Sequence, residues 1–459
     1  MSDRFCGMRF FHGLLIAVGI VFVLAMLAVG PGSIWINSFI HSDAFRHDVE
    51  IRAAQTLGGT VEITQINFSF WSGVQLEGLA TKFASPQGTI AAQMESVNCS
   101  VSFPALLGRR LELNGLKLVK PQVVLTQQPP AMVPTPAPPP VPVKAETTPQ
   151  QGASGTPSAF QFILNAAKIS DGHLSIVDAT GATKADLQGV QINADTAGYY
   201  EGKDVTGTIR IATVALPQNL NLTDFSTPFT YRTGAVSVTP FEATAFGGRL
   251  TGHYQLDPSG PSLLEVDATG IDVGKIGATA NPGASTHLSG SLALQSKWQG
   301  VEAGKLTGQG DAQISGGKLT GVTMLKDLAF ALRVNGLAEP ELKSVTTYFQ
   351  VAEGTTRFTG LRIDSDVFAM TGDGVIDPQG RLSADMVLTL HGSAMGGIPG
   401  VAASFFSKLP GGEGSIPFHL GGTVSNPQAD LSTRLFLQGS KVQKSIDNTV
   451  NRALNHLFH

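Results

Sequence analysis

Thr371-Gly372-Asp373-Gly374-Val375-Ile376-Asp377-Pro378-Gln379-Gly380-Arg381-Leu382-Ser383-Ala384-Asp385-Met386-Val387-Leu388-Thr389-Leu390 is the stretch that decides the fold class. In its second half Leu382, Ala384, Met386, Leu388 and Leu390 point to one side of an extended chain. Arg381, Ser383, Asp385 and Thr389 point to the other, with Val387 the exception. Between the halves, Asp377-Pro378-Gln379-Gly380 is turn chemistry. The Asp side chain bonds its own backbone, Pro presets φ, and Gly takes the position that needs freedom. The stretch reads as a β-hairpin with one apolar and one polar face.

The hairpin has an earlier copy. Thr251-Gly252-His253-Tyr254-Gln255-Leu256-Asp257-Pro258-Ser259-Gly260 precedes it by 120 residues, with Phe241 and Ala243 aligned to Leu361 and Ile363. Gly-Gly-Arg-Leu-Thr-Gly at 247–252 returns as Gly-Gly-Lys-Leu-Thr-Gly at 316–321. Such repetition points to a sheet extended by adding similar hairpins. Leu361 and Ile363 offer one apolar face, as do Ile416, Phe418 and Leu420, although Pro417 marks that last run as an edge strand. Alternation also runs through Val61 and Ile63, through Val97, Cys99, Val101 and Phe103, and through Leu111, Leu113, Leu116 and Leu118.

Helical periodicity is confined to a few segments. Asp43 can cap a helix carrying Phe45, Val49, Ala53 and Leu57, with Gly58-Gly59 as its stop. Met324, Leu325, Leu328, Ala329 and Leu332 share one helical face, and 401–408 is a shorter candidate. At 441–459, Val442, Ile446, Val450, Ala453, Leu454 and Leu457 form a stripe opposite Lys444, Asp447, Asn451 and Asn455. From Gly13 to Gly30 the chain reads GLLIAVGIVFVLAMLAVG, with no Asp, Glu, Lys or Arg between Phe10 and Ile40. About 21 residues at ~1.5 Å each match a hydrocarbon core of about 30 Å, which makes this run an uncleaved membrane anchor. Arg4, Arg9 and the terminal amine keep the short side cytoplasmic and place the rest across the membrane. Cys6 and Cys99 then lie on opposite sides and cannot pair.

The expected organisation is a cytoplasmic end at 1–12, a transmembrane helix at 13–30 and an α+β module at 41–128. A proline-rich linker at 129–157, a β-rich module at 158–433 and an amphipathic helix at 441–459 follow. Proline cannot donate to a strand ladder, so 129–157 reads as an extended spacer, the other reading being a docking site for a proline-binding partner. The fold class is mainly β: a transmembrane helix, then a curled, repeat-extended antiparallel sheet forming a groove, with few helices.

Composition narrows the function. The 459 residues carry 31 Lys+Arg against 35 Asp+Glu, are 42% hydrophobic and only 14% charged, where a soluble domain carries about 25% charged residues. A near-neutral balance leaves no basic footprint for nucleic acid, and two cysteines make no disulfide framework. The ten histidines include no i, i+4 helical zinc pair, and no Gly-x-Ser-x-Gly elbow occurs. Gly308-x-Gly310 and Gly372-x-Gly374 do not continue into a nucleotide-binding loop. Asp364 and Asp366 share a strand face, as a solvated pair does. No catalytic, metal or cofactor site is expected.

An apolar sheet face must be covered by a second sheet, by helices or by closure into a barrel. Alternatively, the sheet curls into a trough that holds acyl chains. Residue periodicity leaves the packed core and the trough open. The trough candidates are Leu361, Ile363, Leu382, Ala384, Met386, Leu388, Leu390, Ile416, Phe418 and Leu420.

Several motifs in series resemble the AsmA family of bacterial envelope proteins. They are the anchor, Leu57-Gly58-Gly59-Thr60-Val61-Glu62-Ile63 and Phe70-Trp71-Ser72-Gly73-Val74-Gln75-Leu76-Glu77-Gly78-Leu79. Leu106-Leu107-Gly108-Arg109-Arg110-Leu111-Glu112-Leu113 and Leu118-Val119-Lys120-Pro121-Gln122-Val123-Val124-Leu125 follow. The hairpin at 371–390 and Gly421-Gly422-Thr423-Val424-Ser425-Asn426-Pro427 complete the series. The resemblance covers about half the chain. It implies a single-pass inner-membrane protein with its bulk in the periplasm and membrane lipid as ligand. It also implies a β-groove that moves lipid to the outer membrane or serves its assembly. The alternative is a non-transporting anchored β-scaffold that recruits an outer-membrane assembly partner.

Overall fold

The computed structural model describes residues 42–69, 73–85, 88–102, 110–127, 161–196, 204–280, 283, 286–300, 306–424 and 426–430. The anchor at 13–30, the proline-rich stretch at 129–157 and the helix at 441–459 lie outside them. Among the described residues, no helix is long and apolar enough to cross a membrane. The fold is mainly β, with curled sheets of mostly antiparallel strands. Two compact units divide the chain: residues 1–217 with 221–237, and residues 218–220 with 238–459.

The first unit opens with helix α1 (Asp43–Leu57). Its N-cap is Ser42, one residue before the predicted Asp43: Ser42 Oγ accepts the Phe45 N–H at 3.2 Å. Asp43 instead falls in the first turn and pairs with Arg46 at 3.0 Å. Gly58 ends the helix at φ 68°, a conformation that only glycine adopts without penalty. Strands β1 (Gly59–Ser69), β2 (Gly73–Ser85), β3 (Gly88–Val101), β4 (Arg110–Val119), β5 (Gln122–Gln127), β6 (Gln161–Leu164), β7 (Ala166–Val177), β8 (Thr183–Asp195), β9 (Val205–Leu216) and β10 (Leu220–Arg232) follow. Phe45, Val49 and Ala53, spaced four apart on α1, are buried with Ile63, Leu76, Met94, Val97 and Leu118. Each large side chain buried this way contributes about 1.5–3 kcal/mol. Glu50 accepts the Ile63 N–H at 2.8 Å, so α1 also satisfies part of the edge of β1.

Antiparallel pairing was expected throughout; the first unit departs from it. β3 pairs along its length with β5 and then β4. On their other side those two strands pair in parallel with β6 and β7, Arg110 opposite Gln161, Leu116 opposite Ala167 and Gln122 opposite His173. The ladder runs through the joint at Lys120-Pro121, where the Lys120 N–H donates to Ser170 O at 2.9 Å and the His173 N–H donates to Pro121 O at 2.7 Å. Strands on either side of the proline-rich stretch are therefore neighbours in one sheet.

The second unit holds β11 (Ala235–Ala245), β12 (Gly248–Leu256), β13 (Leu263–Asp272), helix α2 (Val273–Ala280), β14 (His287–Leu288), β15 (Ser291–Gln299), β16 (Thr307–Ser315) and β17 (Leu319–Thr320). Helix α3 (Thr323–Leu332) leads to β18 (Leu342–Ala352), β19 (Thr355–Ser365), β20 (Phe368–Ile376), β21 (Leu382–Leu390), β22 (Ser407–Lys408), β23 (Gly414–Thr423) and β24 (Asn426–Ala429). Strands β12, β13, β15, β16, β18, β19, β20, β21, β23 and β24 pair in that sequence, each antiparallel to the next. Both Asp-Pro-x-Gly segments are tight turns, between β12 and β13 and between β20 and β21. Asp377 accepts the N–H groups of Gln379 and Arg381 at 2.9 Å, and Asp257 accepts that of Ser259 at 2.8 Å. The second hexapeptide, 316–321, does not build a matching hairpin: Leu319–Thr320 pairs with His287–Leu288 instead.

Candidate functional site

Register in the second unit sorts side chains by face. Opposite one another across β12–β13–β15–β16 stand Tyr254, Leu264, Trp298 and Gly308, and two layers on, Leu250, Ala268, Leu294 and Ala312. The face continues through Val345 and Phe349 of β18 to Phe358, Leu361 and Ile363 of β19. On this side the paired positions of β12, β13, β15, β16, β18, β19, β20, β21 and β23 carry no charge. The other side carries Glu265, Lys297, Asp311, Arg362 and Asp385. Two ion pairs lie on it, Lys297 with Glu265 at 2.8 Å and Arg362 with Asp364 at 2.7 Å. The Lys297 ammonium holds the Glu265 carboxyl below the ordinary carboxylate range, and Glu265 raises Lys297 in return.

Several hydroxyls on the apolar side are bonded within the chain, while the buried Ser262 Oγ at the start of β13 has no partner among the described residues. The Ser296 hydroxyl donates to Val266 O at 3.4 Å and accepts the Trp298 indole N–H at 3.0 Å. The Thr347 hydroxyl donates to Tyr348 O at 3.2 Å, and Ser365 Oγ bonds the Phe368 backbone at 3.0 Å. A molecule resting here meets hydrocarbon and ring carbon.

Cover over this face is uneven. All ten trough candidates lie on it, and the structure brings them together. Ala384, Met386, Leu388, Leu390, Ile416 and Phe418 are buried beneath Leu328, Ala329 and Leu332 of α3, together with Leu337, Ile398 and Phe406. Leu361, Ile363, Leu382 and Leu420 are half-buried at the margin of that cluster. Around the first six, the packed core is the arrangement present: the chain's own side chains fill the space an acyl chain would need. From β12 to β18 most large side chains on this side are half-buried and outside both buried clusters, Leu264, Val266, Leu292, Leu294, Trp298 and Phe349 among them, with Ile271 and Leu342 buried near the strand ends. Sequence reasoning missed this stretch. The alternation Leu292, Leu294, Ser296, Trp298 against Ser291, Ala293, Gln295, Lys297 could have found it.

Other arrangements offer less. An open depression of about 620 Å³ on the polar side is lined by Asp267, Gln295, Asp311, Gln313 and Tyr348; a twisted sheet is saddle-shaped, so both faces carry hollows. Histidines pair singly with carboxylates, His173 with Asp186 at 2.5 Å, His419 with Asp385 at 3.0 Å and His391 with Glu413 at 3.2 Å. Among the described residues, no three His, Cys, Asp or Glu side chains gather to hold a metal. Asp366 pairs with Lys343 at 2.8 Å and Asp364 with Arg362, so these two carboxylates each have a separate partner. Cys99 is buried, and burial pushes its thiol up to about 12, away from the thiolate a nucleophile needs.

Comparison with protein-family models, with curated proteins and with solved structures finds no match for this chain.

Proposed function

We propose that the protein binds and transfers membrane lipid, holding acyl chains on the half-buried apolar face of β12–β18 while headgroups stay in water. The observation that carries this reading is a largely half-buried face of strands nine to eleven residues long, with no charge in register on it and the Ser296 and Thr347 hydroxyls bonded within the chain. Contiguous exposed apolar surface of this kind marks a binding surface. Moving a chain along such a face needs no covalent chemistry, because each CH2 keeps its transfer energy of about 0.8 kcal/mol. The AsmA-like motifs support the same reading. They add residues 13–30 as an inner-membrane anchor, a periplasmic location and a role in supplying or assembling the outer membrane.

The test places a photoactivatable amino acid in the full chain in cells, at Val266 or Leu294 on the apolar side and at Glu265 or Gln295 on the polar side. Lipid adducts are expected from the first pair alone. Equal labelling of both pairs, or none from Val266 and Leu294, rejects lipid carriage and leaves the anchored scaffold.

A further inference from the structure

Two aromatic rings in the open face lie where the strand between them has no side chains. Gly308 and Gly310 of β16 stand opposite Trp298 of β15 and Phe349 of β18 respectively. A Cβ on Gly308 would fall inside the Trp298 indole, and one on Gly310 would stand 2.9 Å from Phe349 Cζ. The rings therefore lie down over β16 from either side and meet above it, centroids 6.1 Å apart and tilted by 41°. Trp298 is held in place because its N–H is already donated to Ser296 at 3.0 Å. Neither ring belongs to a buried cluster.

We propose that Trp298 and Phe349, laid across Gly308 and Gly310, form a contact platform for the acyl chain of a membrane lipid. This rests on the lipid-binding reading above and names the place where the chain sits. Aromatic side chains carry 150–250 Å² each and sit half-buried only at some cost in exposed apolar surface. The occupant is specified by charge. The platform has no ionic group, its one N–H is satisfied, and the nearest charged pair, Lys297–Glu265, is on the opposite side of the sheet. A headgroup finds nothing here to bind, whereas a methylene chain finds two adjoining rings. The glycines let the rings lie close over β16; a side chain there would lift them into the path of the chain.

Trp298 supplies its own probe. In the full chain with Trp35→Phe and Trp71→Phe, it is the only tryptophan. The protein is inserted in vesicles of phosphatidylcholine with dibrominated acyl chains, or of the unbrominated lipid. Bromine quenches indole on contact, so emission is expected to fall at least about twofold with the brominated lipid only. Gly308→Ala is expected to relieve that quenching with the β-sheet circular dichroism unchanged. Brominated lipid recovered with the protein while Trp298 emission stays constant overturns the platform and spares lipid binding. Failure to recover any bound lipid overturns both.

Discussion

Leu388 and Leu294 point to the same side of their strands and differ in what lies above them. Leu388 is wholly buried beneath α3 and the segment that follows β21, whereas Leu294 is half-buried on the open stretch. Truncating a filled core leaves a cavity, so Leu388→Ala is expected to cost about 2–5 kcal/mol. Leu294→Ala removes partly solvated surface and should cost about 1 kcal/mol. Urea unfolding of the two variants checks this; equal losses would mean that Leu294 is covered as well. The same contrast governs charge. Met386→Arg buries an unpaired cation at a site 2% exposed, so it should unfold the second unit rather than report on lipid. Val266→Asp introduces charge where water still reaches and tests the face itself.

At the scale of elements, the repeated hairpin is held by carboxylates at its turns. In Asp377 the Arg381 backbone N–H, together with its guanidinium and the Gln379 N–H, holds the carboxyl below its ordinary value. The Ser259 hydroxyl and N–H do the same for Asp257. A carboxyl lowered in the folded state binds a proton more weakly than in the unfolded chain, whose value is about 3.9. The stability these turns contribute is therefore present above about pH 4 and lost as pH falls through the lower folded values. Thermal melts from pH 7 to pH 2.5 should show this loss, and Asp377→Asn should flatten its share of the slope. These turns and the strands beside them were legible because Asp-Pro-x-Gly and period-2 alternation are local signals. The helix at 43–57 was legible too, apart from its cap. The 401–408 candidate was not: only Gly400–Ala403 is helical, because Phe406 turns into the core and Ser407–Lys408 pairs with β23. Alternation also could not say which part of the apolar face is covered. Leu388 and Leu294 have the same local pattern, and the helix that buries one of them comes from residues 323–332.

In the first unit as a whole, the proline-rich stretch has a task that composition alone did not reveal. Antiparallel strands can be joined by a tight turn, but parallel neighbours need a crossover that returns the full length of the strand. Gln127 ends β5, and Gln161 stands beside Arg110, at the far end of β4. From 110 to 127 the extended chain covers about 56 Å at ~3.3 Å per residue. Residues 128–160 must span that distance, and at full extension they reach about 110 Å. Read as a spacer between modules, the stretch would tolerate any length; as a crossover it has a minimum. Deleting residues 134–143 leaves about 80 Å of reach and should preserve the melting temperature. Deleting residues 131–152 leaves about 42 Å, short of the gap, and should break the β4–β6 ladder. The Asn165 N–H, which donates to Leu113 O at 2.8 Å, is a direct reporter. Its hydrogen exchange should stay slow in the first deletion and become fast in the second, and protection retained in both would show that the two strands are joined by another route.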